Sequence, residues 1–296
     1  VYDFYCEVPG HKEAGMVGRM TIVESITPWP TLPPTATRDA LATDVPETTT
    51  SAQSTSSGMV VAIDSASGAE VWRFETGDAV TSSPAVIDGV VYIGSHDTYV
   101  YAIDAVTGQE RWKFETGDGV ASSPAVVDGV VYIGSWDDNI YAIDAATGVE
   151  RWRFATESPV YSSPAVADGT VYIGVWGGYF YAIDVATGEE RWSLLPAADF
   201  GAIVATPTVA DGVVYVVNVV NQFYAVDGAT GLLLWTLRID ATWESSPAVV
   251  DGKLYVGGWD GNVYALDAEH GRPRWQFAAG AEVHSSPTVA DGVVYV

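Results

Sequence analysis

One marker set, repeated six times at a near-constant step, constrains this chain more than any other feature. An aspartate closes an Ala-Ile-Asp, Ala-Val-Asp or Ala-Leu-Asp triplet at Asp64, Asp104, Asp144, Asp184, Asp227 and Asp267. The step is the same throughout, except for a short insertion between Asp184 and Asp227. Eight residues after each stands a tryptophan: Trp72, Trp112, Trp152, Trp192, Trp235 and Trp275. A proline follows (Pro84, Pro124, Pro164, Pro207, Pro247, Pro287), then an Asp-Gly pair, from Asp88-Gly89 to Asp291-Gly292. Self-similarity at this period marks a repeat architecture, in which one unit cannot bury its faces alone and stacking supplies the core.

Each unit reads as four short strands. In the unit beginning at Ser83, Ser83-Pro84-Ala85-Val86-Ile87 precedes Asp88-Gly89 and Val90-Val91-Tyr92-Ile93-Gly94 follows it. Asp-Gly between β-branched runs is a strong hairpin signal, because a type I′ turn needs positive φ at both central residues. Tyr101-Ala102-Ile103 forms a third strand. The turn Asp104 to Gly108 follows, with the carboxylate placed to cap turn amides, and Glu110-Arg111-Trp112-Lys113-Phe114 is the fourth strand. No stretch keeps a helical period over ten residues.

Four strands in every repeat predict an all-β fold, a β-propeller of four-stranded blades. Five complete blades are expected near 82–117, 122–157, 162–197, 205–240 and 245–280. Two outer-type strands (59–64 and 70–75) precede them, and two inner-type strands (285–296) follow. About six blades are thus visible, and the expectation is a piece of a seven- or eight-bladed ring rather than a closed six-bladed one. Residues 1–5 read as a strand and residues 293–296 as part of another, as in an internal piece of a longer protein.

Composition removes other classes. With 13 Lys+Arg against 38 Asp+Glu the formal net charge is −25, which opposes binding to nucleic-acid phosphates and to anionic membrane surfaces. Twelve of the acids are the repeated turn aspartates, explained by backbone geometry. The remaining excess fits either adaptation to high salt or a compositional bias. No apolar run reaches the ~18 residues of a membrane-spanning helix. Residues 25–57 form a linker in which Ser, Thr and Pro make up more than half of the positions, too poor in apolar surface to offset its ordering entropy.

The consensus Ser-Ser-Pro-x-Val-x-Asp-Gly-x-Val-Tyr-x-Gly, followed by Tyr-Ala-Ile-Asp-x-x-Thr-Gly-x-x-x-Trp-x-Phe, resembles the propeller repeat of pyrroloquinoline-quinone (PQQ) proteins over residues 58–296. The resemblance implies that Trp72, Trp112, Trp152, Trp192, Trp235 and Trp275 dock onto neighbouring blades. That family holds both quinoprotein dehydrogenases and non-catalytic members such as the outer-membrane assembly lipoprotein. Its dehydrogenases place an adjacent Cys–Cys pair beside the quinone. The single cysteine here is Cys6, outside the propeller, so a PQQ cofactor is not expected.

Positions where the repeat varies are the candidates for recognition, since scaffold roles are met elsewhere. One set lies three residues before each proline: Thr81, Ala121, Tyr161, Val204, Glu244 and His284. A second lies after the second strand: His96, Trp136, Trp176, Val220 and Trp259. Both flank the same kind of loop and are expected on one face. There the aromatics His96, Trp136, Tyr161, Trp176, Trp259 and His284, with Glu244, form a candidate ligand face for a sugar, a peptide or an aromatic group. Rim packing is the bland alternative.

Residues 1–24 carry a different signal. Cys6, His11 and Met16 follow one another at x4 spacing between two β-like runs, 2–6 and 18–23. Thiolate, imidazole and thioether together favour copper. Phe4-Tyr5-Cys6, Pro9-Gly10-His11 and Gly15-Met16-x-Gly18 resemble the C-terminal copper loop of cupredoxins. The resemblance implies Cys6, His11 and Met16 as ligands of a type 1 copper, with a further histidine from a strand upstream of residue 1. The domains read as 1–24, the end of a cupredoxin; 25–57, linker; and 58–296, propeller. The expected function is extracytoplasmic copper electron transfer, with the propeller docking a redox partner or another protein. The alternatives are a PQQ-dependent dehydrogenase with a fused cupredoxin acceptor, or a non-catalytic scaffold propeller.

Overall fold

The computed structural model describes residues 57–194, 201–220, 222–238 and 245–296. Cys6, His11 and Met16, the linker and Glu244 lie outside the described residues. All regular elements described are strands. A half-blade of β1 (Met59–Ile63) and β2 (Glu70–Glu75) comes first. The first complete blade is β3 (Ala85–Ile87), β4 (Val90–Gly94), β5 (Tyr99–Asp104) and β6 (Glu110–Glu115). The second is β7 (Ala125–Val127), β8 (Val130–Ser135), β9 (Asn139–Asp144) and β10 (Glu150–Ala155). The third is β11 (Ala165–Ala167), β12 (Thr170–Gly174), β13 (Phe180–Asp184) and β14 (Glu190–Leu194). The fourth is β15 (Thr208–Ala210), β16 (Val213–Val217), β17 (Gln222–Asp227) and β18 (Leu233–Arg238). The fifth is β19 (Ala248–Val250), β20 (Lys253–Gly257), β21 (Asn262–Asp267) and β22 (Pro273–Ala278), followed by β23 (Thr288–Ala290) and β24 (Val293–Tyr295).

Each complete blade is an antiparallel meander, and the first strands of successive blades approach one another around the centre. The two half-blades remain separate two-stranded sheets, so 59–75 does not pair with 285–296. The Asp-Gly hairpins behave as the turn chemistry requires: Asp88 and Gly89 both have positive φ, 49° and 73°. The second and third strands are buried on both faces, as in β4 and β5, where Val91, Ile93, Val100, Ala102 and Ile103 are inaccessible or nearly so. These side chains form core clusters between adjacent sheets; Val100 and Ala102 of the first blade pack with Val131 and Ile133 of the second.

Five tryptophans tie blade to blade. Trp72, Trp112, Trp152, Trp192 and Trp235 donate their indole N–H to the carbonyls of Ala105, Ala145, Val185, Gly228 and Ala268 of the following blade, at 2.9–3.0 Å. Each ring lies against the turn glycine of that blade, leaving no room for a Cβ on Gly108, Gly148, Gly188, Gly231 or Gly271. Trp275 departs from the expectation. It is 42% exposed, and the sheet that follows it in the chain, β23–β24, is two-stranded.

The repeated Ser-Ser-Pro also acquires a role. In the first blade Ser82 Oγ donates to the Gly94 carbonyl and accepts from Gly94 N–H, 2.8 and 3.1 Å. The second serine acts between blades: Ser83 N–H donates to Ser123 Oγ and Ser123 N–H to Ser163 Oγ, 2.8 and 2.9 Å. One serine pair thus satisfies buried backbone groups within a blade and links it to the next.

Candidate functional site

The face that carries the variable positions is built from two kinds of segment. The links between blades (76–84, 116–124, 156–164 and their equivalents) enter each blade, and the loops after the second strands cross over them. Backbone bonds fix the crossing. His96 N–H donates to Ala79 O, Trp136 N–H to Gly119 O and Trp176 N–H to Pro159 O, at 2.9–3.0 Å. In the fourth blade the equivalent bond runs from Val219 N–H to Ala202 O, 2.9 Å. Val219, not Val220, therefore holds the position of His96, Trp136, Trp176 and Trp259; like them it lies eight residues after its hairpin aspartate, here Asp211.

Carboxylates clamp the same crossings. Asp97 Oδ2 accepts from Gly77 N–H and from the Tyr101 hydroxyl, 2.6 and 2.7 Å. Asp137 repeats this with Gly117 N–H and Tyr141, 2.6 and 2.5 Å, and Asp260 accepts from Tyr264. Burial, followed by the bond to the carboxylate, pushes the Tyr101 and Tyr141 phenols well above the usual tyrosine range. In the third blade Gly177 replaces the aspartate and donates to Ser158 Oγ, 2.6 Å. The sequence reading missed this set; its signal was an aspartate directly after His96, Trp136 and Trp259.

On this frame the variable side chains of the first three blades meet in a continuous line. The Thr81 hydroxyl and His96 Nε2 are hydrogen-bonded at 2.9 Å. The His96 and Trp136 rings lie 4.6 Å apart between centroids, Trp136 and Tyr161 5.2 Å, and Tyr161 and Trp176 5.1 Å, all tilted. Trp136 rests on Gly119, where a Cβ would fall 2.8 Å from its ring. At the outer end of this aromatic rail Trp176 is 54% exposed and Tyr161 36%. Ala121 lies half-buried on the same face. A second, smaller cluster pairs Trp259 with His284 at 5.0 Å, His284 Nε2 lying 3.2 Å from Glu282. Valines Val204 and Val219 occupy the corresponding positions between the two clusters.

The rail tryptophans differ from the scaffold tryptophans in one physical respect. Trp136 Nε1 and Trp259 Nε1 are buried with no acceptor among the described residues, whereas five scaffold indoles each reach a carbonyl. A buried donor without a partner costs about 1–3 kcal/mol. These two indoles stand at equivalent loop positions three blades apart, and a residue chosen for stability alone would not carry that cost.

At the opposite end of the blades the turn aspartates serve the backbone. Asp104 Oδ1 accepts from Thr107 N–H at 2.9 Å, and its other oxygen pairs with Arg111 at 2.6 Å. Asp267, Glu269 and His270 there are the one group among the described residues whose ligand atoms lie within 4.8 Å of one another. Its aspartate is already paired with Arg274.

Among solved structures, the chain is similar to the crystal structure of BamB from Moraxella catarrhalis, with TM-score 0.64, 24% identity, and coverage of 74% of this chain and 67% of that one. A computationally designed protein, Ika8, gives TM-score 0.66 at 19% identity over 77% of this chain and 70% of its own. A quinohemoprotein alcohol dehydrogenase from Pseudomonas putida gives 0.58 at 22% identity, covering 68% of this chain but 42% of the enzyme. These likenesses carry the fold. No curated protein matches the chain. No described helix is long and apolar enough to cross a membrane. Matches to residues 56–194, 137–242 and 224–296 span the whole repeat region, and the chain belongs to the PQQ-like propeller family described as outer membrane protein assembly factor BamB.

Proposed function

We propose that the propeller is a non-catalytic docking module that works outside the cytoplasm, and that the aromatic rail is where it engages a partner protein. The observation that carries this reading is the contrast between the two tryptophan sets. Scaffold indoles are hydrogen-bonded between blades; the rail rings lie edge by edge in a row that ends in the exposed Trp176, and the Trp136 N–H within it has no acceptor among the described residues. Exposed aromatics on a rigid frame are the usual anchors of protein interfaces. Membership in a family described as an assembly factor supports a binding role and an extracytoplasmic location.

A quinone-dependent dehydrogenase fits the residues less well. Residues 58–296 contain no cysteine, and the repeated turn aspartates are committed to turn amides and arginines. The test of the docking reading is co-isolation of the tagged protein with its partner from the host cell. Trp176→Ala with Tyr161→Ala should remove that partner, while the exposed Val106→Ala at the opposite end should retain it. Retention of the same partner by the rail variant contradicts the reading.

A second reading rests on Cys6, His11 and Met16, whose softness and spacing suit copper. On this reading a tethered copper domain exchanges electrons while the propeller holds its redox partner. Full-length protein loaded with Cu(II) should show an intense visible thiolate-to-copper band that disappears in Cys6→Ser. A folded, copper-loaded sample without that band removes the electron-transfer reading.

A further inference from the structure

We propose that the segment accepted by the rail is cationic: an extended, arginine-bearing stretch of a partner protein. The inference rests on the docking reading above and adds the chemistry of the occupant. Its first observation is the segregation of charge between the two ends of the blades. The links between blades and the loops after the second strands contain no lysine or arginine. Around the rail they carry Asp78, Asp97, Asp118, Asp137, Asp138 and Glu157, of which Asp118, Asp138 and Glu157 are exposed.

The opposite end is acidic too, and its hairpin aspartates Asp88, Asp128 and Asp168 are exposed, but arginines are interleaved with its turn aspartates. Asp104, Asp144 and Asp184 pair with Arg111, Arg151 and Arg191 at 2.6–2.7 Å. At the rail end the carboxylates of Asp97 and Asp137 accept from backbone N–H and tyrosine hydroxyl groups rather than from a lysine or arginine. One end interleaves arginine with its acids, while the links and loops of the other set exposed Asp118, Asp138 and Glu157 near exposed aromatic rings, with no lysine or arginine of their own. Complementary potential is what steers a partner onto such a face and excludes partners of like sign.

The second observation concerns what such a surface grips. A guanidinium stacks on an aromatic face and offers a planar fork to carboxylates, so it engages Trp176 or Tyr161 and a neighbouring acid at once. Lysine offers only a compact point charge. The fold already uses cations over rings at its outer strands: Lys113 Nζ lies 4.5 Å from the Tyr99 centroid and the Arg153 guanidinium 5.4 Å from that of Tyr141. Both of those cations are supplied from the chain's own fourth strands. The rings of Tyr161 and Trp176 lie against each other and remain open to solvent.

Fluorescence anisotropy on the full chain tests this with four labelled probes: (Gly-Arg)6, (Gly-Lys)6, (Gly-Glu)6 and a neutral hexasaccharide. The arginine peptide should bind at least tenfold tighter than the lysine peptide, and the other two should not bind. Affinity for it should fall at least tenfold in Trp176→Ala and in Glu157→Lys, but less than twofold in Glu189→Lys, an equal charge change at the opposite end. It should also fall as salt rises. Rail-dependent binding of the glutamate peptide or the sugar in place of the arginine peptide overturns the cationic inference and leaves the docking reading standing. Equal losses in Glu157→Lys and Glu189→Lys, or no loss in Trp176→Ala, overturn it as unspecific attraction. Absence of rail-dependent binding by every probe overturns both.

Discussion

Trp112 donates its indole N–H to the carbonyl of Ala145, 33 residues along the chain, at 3.0 Å. The same ring covers Gly148 of that next blade, where an added Cβ would fall 2.8 Å from the indole. One residue therefore closes the contact between sheets and dictates what the following turn can contain, and the relationship recurs from blade to blade.

That pair separates conformational from packing effects. Gly129 and Gly148 have nearly the same φ, 72° and 73°, but a Cβ on Gly129 meets nothing within 4 Å. Gly129→Ala should cost about 1 kcal/mol, the strain of a left-handed backbone. Gly148→Ala should cost that plus about 1–3 kcal/mol of overpacking against Trp112. Urea unfolding of the two variants checks the order, and equal losses would contradict the docking geometry.

Trp152→Ala removes a half-buried ring and its bond to Val185. A loss of about 3 kcal/mol is expected, the lower end of the range for large buried aromatics. Trp275→Ala, at an exposed indole, should cost far less. The ratio of the two midpoints in denaturant is the measurement.

Thr98 has φ 76°, where its equivalents Asp138, Gly178 and Gly261 have 64°, 82° and 80°. A β-branched residue is strained there, yet its backbone is held, since the Thr98 carbonyl accepts from Thr116 N–H at 2.8 Å. Thr98→Gly should stabilise the protein by about 0.5–1 kcal/mol, the left-handed strain less the extra unfolded entropy of glycine. Calorimetry should show a raised Tm, and a lowered one would contradict the strain.

The bond to Arg151 holds the Asp144 carboxyl at about 2, and that to Arg191 holds Asp184 at about 2. Their folded values lie below the unfolded value, so the stability they contribute is complete above about pH 4 and is lost as pH falls toward 2. Relief of repulsion in a chain of net charge −25 acts in the opposite direction over the same range. The difference between wild type and Arg151→Met isolates the local effect: it should shrink between pH 4 and pH 2. A carbon-13 NMR titration of Asp144 reads the shift directly, and an ordinary aspartate midpoint would contradict it.

Most of the propeller was legible because its rules are local. Asp-Gly marks a hairpin, Asp-x-x-Thr-Gly a capped turn, and the spacing between Asp104 and Trp112 one strand pair. What needed three dimensions was anything whose partner lies a repeat away. The second serine of Ser-Ser-Pro bonds the next blade, and the Asp97 carboxylate reaches back to Gly77. Val220 was misplaced by one residue, although the eight-residue count from the hairpin aspartate, Asp211 as from Asp88 to His96, already gives Val219. The rail was legible as a set of variable positions; its continuity from His96 to Trp176 and its unpaired indoles were not.

The claim that the rail is the docking surface is tested most directly by site-specific photo-crosslinking in the host cell. A photo-reactive phenylalanine replaces Trp176 in one variant and Val106, 78% exposed at the opposite end, in another. The docking account predicts a discrete, ultraviolet-dependent adduct from position 176 that disappears when Tyr161→Ala is added, and none from position 106. Adducts from position 106 with none from position 176 would contradict it.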